Sequence, residues 1–390
     1  MQSKFLEKSD SKEICDLMKY AFNDIRDTLS EEDAVSHLNN GVGFGIFENG
    51  KLVSQVLVPS YEFQVGSQII KSTGIAGVAS YPEVRGKRYI NQIFGDVLNW
   101  EKEHDSVLSF LSPFSYPFYA QFGYQQIFSI LEITWNSSRF PAGAKTNYQM
   151  KRMPYEEAYP HLNQLYHEDK YFKLFGMKRP KWRFDENYSK DKNIDIAVCF
   201  DEADKAVAYV IYGRKGGVLT IREMVTQDMT SLLTIARYIK GHGMSFERIV
   251  YQSRNPEASE IPLLSLVEEL HDVNLKLWPS MMMRIVNVSK FLEVYPYQRQ
   301  DERLSELTIE VKDRGASWNC GIFTSKGESV NEKGKYHLQI SVEDMAALFS
   351  GFRTIEALVD FGRVEVENEE TVSLLMDVLI DKKPVISDFF

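Results

Sequence analysis

Between Gly74 and Tyr124 the chain reads strand, basic turn, amphipathic helix, strand and aromatic loop, an order that leaves little choice about how these residues pack. The apolar run Ile75 to Ala79 is short and stops at Pro82, as a buried strand does. Arg85, Gly86, Lys87 and Arg88 then open a helix from about Tyr89 to His104, with Ile90, Ile93, Phe94, Val97 and Trp100 on one face. Val107 to Leu111 returns as a strand. The first amides of a helix have no partner inside it and lie at the positive end of its dipole. Three cationic side chains beside them therefore make a site for an anion such as a pyrophosphate.

The residues before this stretch prescribe a helix-first, antiparallel order. A short strand ends at Phe5 to Glu7, and Ile14, Leu17, Met18 and Phe22 recur at helical spacing after a cap at Ser9 or Asp10. A polar helix from Ser30 to Leu38 follows. Asn49-Gly50 turns the strand Gly43 to Glu48 into Lys51 to Tyr61, and Gly66-Ser67 turns the chain again into Gln68 to Ala79. Gly43 and Gly45 open a hairpin strand rather than a helix, so they are read as structural.

In its basic turn the chain resembles the GNAT acetyltransferases, whose acetyl-CoA loop reads Arg/Gln-x-x-Gly-x-Gly/Ala. Arg85 holds the leading position, while Arg88 stands where the family has glycine and Ile90 where it has a small residue. VASYPEVRGKRY with FYAQFGY downstream and a Phe-Phe end resembles more closely the Eis-type branch, over the whole chain. That resemblance implies an α/β (α+β) fold of two GNAT-like N-acyltransferase domains followed by a sterol-carrier-protein-like α+β domain. The boundaries read from sequence are 1–139, 140–286 and 287–390.

The resemblance also implies roles for particular residues. Arg85, Gly86, Lys87, Arg88, Tyr89 and Ile90 would hold the acetyl-CoA pyrophosphate, and the backbone at Val78, Ala79 and Ser80 would bind the acyl arm. A phenol is protonated at neutral pH and suits the departing thiolate as an acid. Among Tyr116, Tyr119 and Tyr124, the Tyr-x-x-Phe-Gly-Tyr context selects Tyr119. The base implied is the terminal carboxylate of Phe390, in an apolar tail that also places Phe389 beside substrate, and Asp24 matches an acidic position facing the amine. From the residues alone, such tyrosines are more often packing groups, a balance that the cradle upstream reverses; the tail reads first as a docked terminus, and Asp24 equally as a helix-end cap or an exposed residue.

Charge narrows the partners. With 45 Lys and Arg against 55 Asp and Glu, the net charge is -10, which argues against nucleic acid and is compatible with cationic amines. Cys15, Cys199 and Cys320 are too scattered for a disulfide framework, and the histidines show no metal-binding spacing, so no metal is expected. No apolar run approaches membrane length, which predicts a cytoplasmic protein without membrane contact.

After a Pro- and Gly-containing connection near Phe140, the pattern recurs. A helix from Tyr155 to Glu168 precedes strands Asp195 to Phe200, Lys205 to Tyr212 and Val218 to Val225, a helix from about Met229, and a strand Arg248 to Gln252. Where the first copy has VRGKR, the second has Thr226-Gln227-Asp228-Met229-Thr230, so one acetyl-CoA per chain is expected. Met281, Met282 and Met283 enter a core strand, and Ser341 with Asp344 starts a helix in the last domain.

The function expected is direct transfer of an acetyl group from acetyl-CoA to a primary amine: an aminoglycoside, a polyamine or a lysine-like group. The alternative is a non-catalytic acyl-CoA or lipid-binding protein that uses the sterol-carrier-like domain. Aminoacyl transfer from aminoacyl-tRNA is weaker, because the chain is acidic and its first cradle intact. By resemblance the protein forms a homo-oligomer, a trimer or hexamer.

Overall fold

The computed structural model describes residues 2–23, 30–169, 174–267, 269, 271 and 273–381 of the 390. They divide into two compact units. One comprises the residues up to 127 together with those from 281 onward, and the other spans 128–280. Among the described residues no helix is long and apolar enough to cross a membrane.

The first unit carries a mixed sheet with strands in the order Lys4–Phe5, Gly41–Glu48, Lys51–Val65, Gln68–Ser80, Leu108–Leu111, Met282–Ile285 and Gln125–Gln126. The early strands form an antiparallel meander, with Glu48 opposite Lys51 across the Asn49-Gly50 turn, where both residues have positive φ. Helix Tyr89–Glu103 covers one face, burying Ile93, Phe94 and Val97 against Phe44, Val56, Val58 and Ile75. Helix Ser11–Phe22 covers the other, with Ile14, Leu17 and Met18 on Leu52, Leu57 and Ala76. The period-3.6 stripes of both helices thus meet the two alternating faces of one sheet.

The same unit contains the C-terminal five-stranded sheet, ordered Ser329–Val330, Gly321–Thr324, Leu307–Lys312, Tyr336–Ser341 and Glu365–Val366. Helix Val342–Phe349 starts where the sequence places it, with the Ser341 hydroxyl accepting the Asp344 amide at 3.1 Å.

The second unit is built on a seven-stranded sheet. Ser129–Asn136, read from sequence inside a first domain of 1–139, pairs here between Arg248–Ser253 and Val273–Pro279. Met282–Ile285, read inside 140–286, pairs instead with Leu108–Leu111 and Gln125–Gln126 of the first unit. An alternating run announces a strand but not its neighbour, because backbone hydrogen bonds carry no record of which chain segment lies opposite.

Candidate active site

Gln68–Ser80 and Leu108–Leu111 are parallel neighbours only from Ser72 opposite Leu108 to Ile75 opposite Leu111. Residues 76–80 continue without a partner on that side, while on the other side the strand stays paired to Lys51–Val65 through a bulge between Gln55 and Leu57. The bulge is built on Gly77, with φ of 55° and Leu57 Cδ1 only 3.1 Å from the place a Cβ would occupy. A bulge bends its strand, which gives the parting a local cause. Val78 and Ser80 are half-buried and Ala79 is buried along the parted edge, and the Ser80 hydroxyl pairs with that of Ser54 at 2.7 Å.

The turn that follows ends on an open helix terminus. Arg88 is the N-cap of Tyr89–Glu103, sits in the left-handed region at φ 60°, and gives no side-chain cap. Gly86 has φ of 86° with open space where a side chain would begin. Arg85, Gly86, Lys87 and Arg88 are all exposed. Lys87 is committed elsewhere, to Glu48 at 2.6 Å, and the Tyr89 hydroxyl donates to the same carboxylate at 2.5 Å. The Lys87 hydrogen bond, with that of Tyr89, holds the Glu48 carboxyl below its ordinary range. Among the described residues no ion pair engages Arg85 or Arg88, so these two are the uncommitted cations of the turn. Ile90, at a position where the resembling family has a small residue, packs against the core beneath.

Helix Tyr116–Ala120 carries the aromatic loop, started by Ser115, whose hydroxyl accepts from Phe118 N. Tyr119 is 3 % exposed, its ring set among Phe94, Phe114, Phe118 and Tyr124 with centroids 5.0–6.4 Å away. It belongs to the same apolar cluster as Ile75, Val84 and Leu111, against which Val78, Tyr89 and Tyr116 also pack. The hydroxyls of the three tyrosines differ. That of Tyr124 is 2.7 Å from Ser109 Oγ, that of Tyr116 is buried without a partner, and no hydrogen bond engages that of Tyr119 among the described residues. Burial pushes the Tyr119 phenol well above its usual value and that of Tyr116 up to about 12, so both keep their protons through the neutral range. The readings on Asp24, Phe389 and Phe390 lie outside the described residues.

These features fit an acyl-CoA. An uncapped helix end with two uncommitted arginines suits a pyrophosphate, and a parted strand edge suits the amide-bearing arm. The buried hydroxyls of Ser112 and Tyr116, both lacking partners, leave hydrogen-bonding capacity just after the Leu108–Leu111 strand.

The second unit repeats the geometry without the charge. Val218–Thr226 and Arg248–Ser253 are parallel only through Ile221 opposite Tyr251, and a cavity of about 290 Å³ lies where they part. Helix Met229–Lys240, however, is closed by Asp228, whose carboxylate accepts the Ser231 amide at 2.7 Å. A carboxylate already occupies the anion position there. At the cavity floor Glu223 is 3 % exposed and meets Arg179 at 2.9 Å and Arg254 at 3.0 Å. Tyr209 and Tyr188 donate to it as well, and although burial opposes ionisation, these partners bring its carboxyl down to about 2.

Two buried groups near the aromatic loop escape a reading by motif. Glu101, fully buried, accepts a short hydrogen bond from Thr73 Oγ1, and Thr73 in turn reaches Ser109 Oγ at 3.2 Å. Burial raises its carboxyl to about 7 against the opposing hydrogen bonds of Thr73 and Ser109. Its place four residues after Val97 on the apolar face was the available signal. Arg284 and Asp313, each 1 % exposed at the side chain, form an ion pair at 2.7 Å. No spacing links residues so far apart from Tyr119.

Comparison with known proteins agrees with this geometry. Residues 2–127 and 176–285 each match a model of a GNAT acetyltransferase domain, and 288–387 match a sterol carrier protein domain. The chain is therefore an acyltransferase of the GNAT class. The order along the chain is thus two GNAT domains followed by a sterol carrier domain, the organisation that the Eis-type resemblance implies. A conserved Enterococcus faecalis protein described as a probable N-acyltransferase is 28% identical, with a TM-score of 0.91 over 100% of this chain and 99% of that one. A GCN5-related N-acetyltransferase from Anabaena variabilis is 21% identical, with a TM-score of 0.84 over 100% of both chains. Eis1 from Mycobacterium abscessus shares the fold at 15% identity, with a TM-score of 0.81 over 100% of both. Among curated proteins none matches the chain.

Proposed function

We propose that this acyltransferase moves an acetyl group from acetyl-CoA directly to the nitrogen of a primary amine, with Tyr119 as the acid. The observation that carries the reading is Tyr119, a buried side chain in the cluster that lines the parted strands, whose hydroxyl makes no hydrogen bond among the described residues and whose phenol burial pushes well above its usual value. In the transfer the amine nitrogen bonds to the thioester carbonyl carbon, the C–S bond breaks, and the sulfur takes the Tyr119 proton. A buried phenolate is costly. Tyr119 must therefore recover a proton promptly. The Val78 to Ser80 backbone is the donor edge that would polarise the carbonyl. Arg85 and Arg88 with the first amides of the 89–103 helix would hold the pyrophosphate. For the amine proton the sequence resemblance implies the Phe390 carboxylate, with Phe389 and Asp24 at the acceptor.

The acceptor class, an aminoglycoside, a polyamine or a lysine-like amine, is the one that the Eis-type resemblance implies, and the chain's net charge of -10 is compatible with a cationic amine. Release of free thiol from acetyl-CoA, measured across a panel of these amines, tests the proposal, with longer acyl-CoAs run in parallel. Amine-dependent thiol release that Tyr119→Phe suppresses supports it. Tight binding of fatty ligands with no transfer to any amine overturns it in favour of a lipid-binding protein.

A further inference from the structure

The aromatic loop is held from below by residues that come from far along the chain. Arg284, in strand Met282–Ile285, donates through Nη1 to the Phe122 carbonyl oxygen and through Nη2 to both oxygens of Asp313, at 2.9 and 2.7 Å. Asp313 follows strand Leu307–Lys312 of the C-terminal sheet. Its carboxylate also accepts the Gly315 and Ala316 amides and the Asn319 side chain at 2.9–3.1 Å, so the acceptor is fixed before it meets the arginine. Phe122 N donates to the Tyr119 carbonyl at 3.0 Å, and the Phe122 ring stacks on Phe94 at 4.2 Å. A continuous chain of hydrogen bonds thus runs from Asp313 through Arg284 and Phe122 to the backbone of Tyr119.

Gly123 shows what the contact demands. It sits at φ 82°, and a Cβ there would lie 1.5 Å from Arg284 Nη1. The glycine of Phe122-Gly123-Tyr124 is thus needed twice, for its backbone angle and for the guanidinium that passes beneath it.

We propose that Arg284 and Asp313 are positioning residues for the acid: the buried pair sets the 119–124 turn, and through it the direction of the Tyr119 hydroxyl. Asp313 of the sterol-carrier-like domain then acts on the acid through Arg284, separately from the role that the resemblance implies for the domain's terminal residues. This rests on Tyr119 as the acid, and the physical reason is the shortness of the Tyr116–Ala120 helix, which leaves the turn little regular structure of its own to fix it. A displacement of about 1 Å in a catalytic group can lower a rate by about 100-fold.

The test is a double-mutant cycle on kcat, with KM for acetyl-CoA measured alongside. Arg284→Met alone leaves Asp313 buried and unpaired, so Arg284→Met with Asp313→Asn is the working variant; asparagine keeps an oxygen for the Gly315 and Ala316 amides. The expected result is a 10- to 100-fold fall in kcat, little change in KM, and no further fall when Tyr119→Phe is added. A kcat loss that multiplies with that of Tyr119→Phe overturns the proposal, and so does an unchanged kcat in the paired variant. Gly123→Ala, which pushes Arg284 from Phe122 while keeping both charges, is expected to show the same non-additivity even where the paired variant folds poorly. If Tyr119→Phe by itself leaves kcat intact, the assignment of the acid fails instead, and the two failures are distinguishable.

Discussion

Replacing Glu101 by Gln should change how the stability of the first unit depends on pH. The carboxyl lies fully buried, one oxygen bonded by Thr73 and the other without a partner, and burial moves it from its ordinary 4.5 to about 7. At about 1.4 kcal/mol per pH unit, ionising it in the fold costs about 3 kcal/mol relative to the unfolded chain. Between about pH 4.5 and 7 the folded state keeps a proton that the unfolded state has released. Stability from this group is therefore whole below about pH 4.5, declines as pH rises to about 7, and is level above it. Glutamine carries no charge at any pH, so the decline should vanish. Any fixed cost of its amide cancels when the difference between variant and parent at pH 8 is compared with that at pH 5. That comparison should favour Glu101→Gln by about 3 kcal/mol, or about 6–12 °C in the melting temperature of a unit this size. Thermal unfolding at half-unit pH steps measures it. Parallel curves for the two proteins would show that Glu101 ionises in the fold as it does in water, and would remove the argument.

Arg85→Ala and Arg88→Ala should each raise KM for acetyl-CoA several-fold and weaken its salt dependence, whereas Lys87→Ala should do less because Glu48 already neutralises that lysine; initial rates at two ionic strengths decide. Arg88→Gly should raise KM in the same way yet leave the stability unchanged or about 1 kcal/mol higher, since the residue sits at φ 60°, which calorimetry checks. Glu223→Ala should lower stability of the second unit by about 3–5 kcal/mol by removing the buried carboxylate that both Arg179 and Arg254 meet, seen as early loss of amide protection in that unit.

Much of this protein is written locally. The strand, basic turn and helix from Gly74 to Glu103 can be read from an apolar run, a proline, three cations and a 3.6-residue stripe, and the structure places them so. Asp228 at the matching turn of the second unit was legible for the same reason, since a carboxylate at an N-cap is a local hydrogen bond. Neighbours on a chain constrain each other through backbone geometry, and sequence records neighbours. What lies opposite was decided only by tertiary structure. The destinations of Ser129–Asn136 and Met282–Ile285, the unpartnered hydroxyls of Ser112 and Tyr116, and the raised carboxyl of Glu101 all depend on groups brought together by burial. Arg284 meeting Phe122 and Asp313 is the clearest case, because a buried guanidinium is paired by the packing of two sheets and no periodicity can announce its partner.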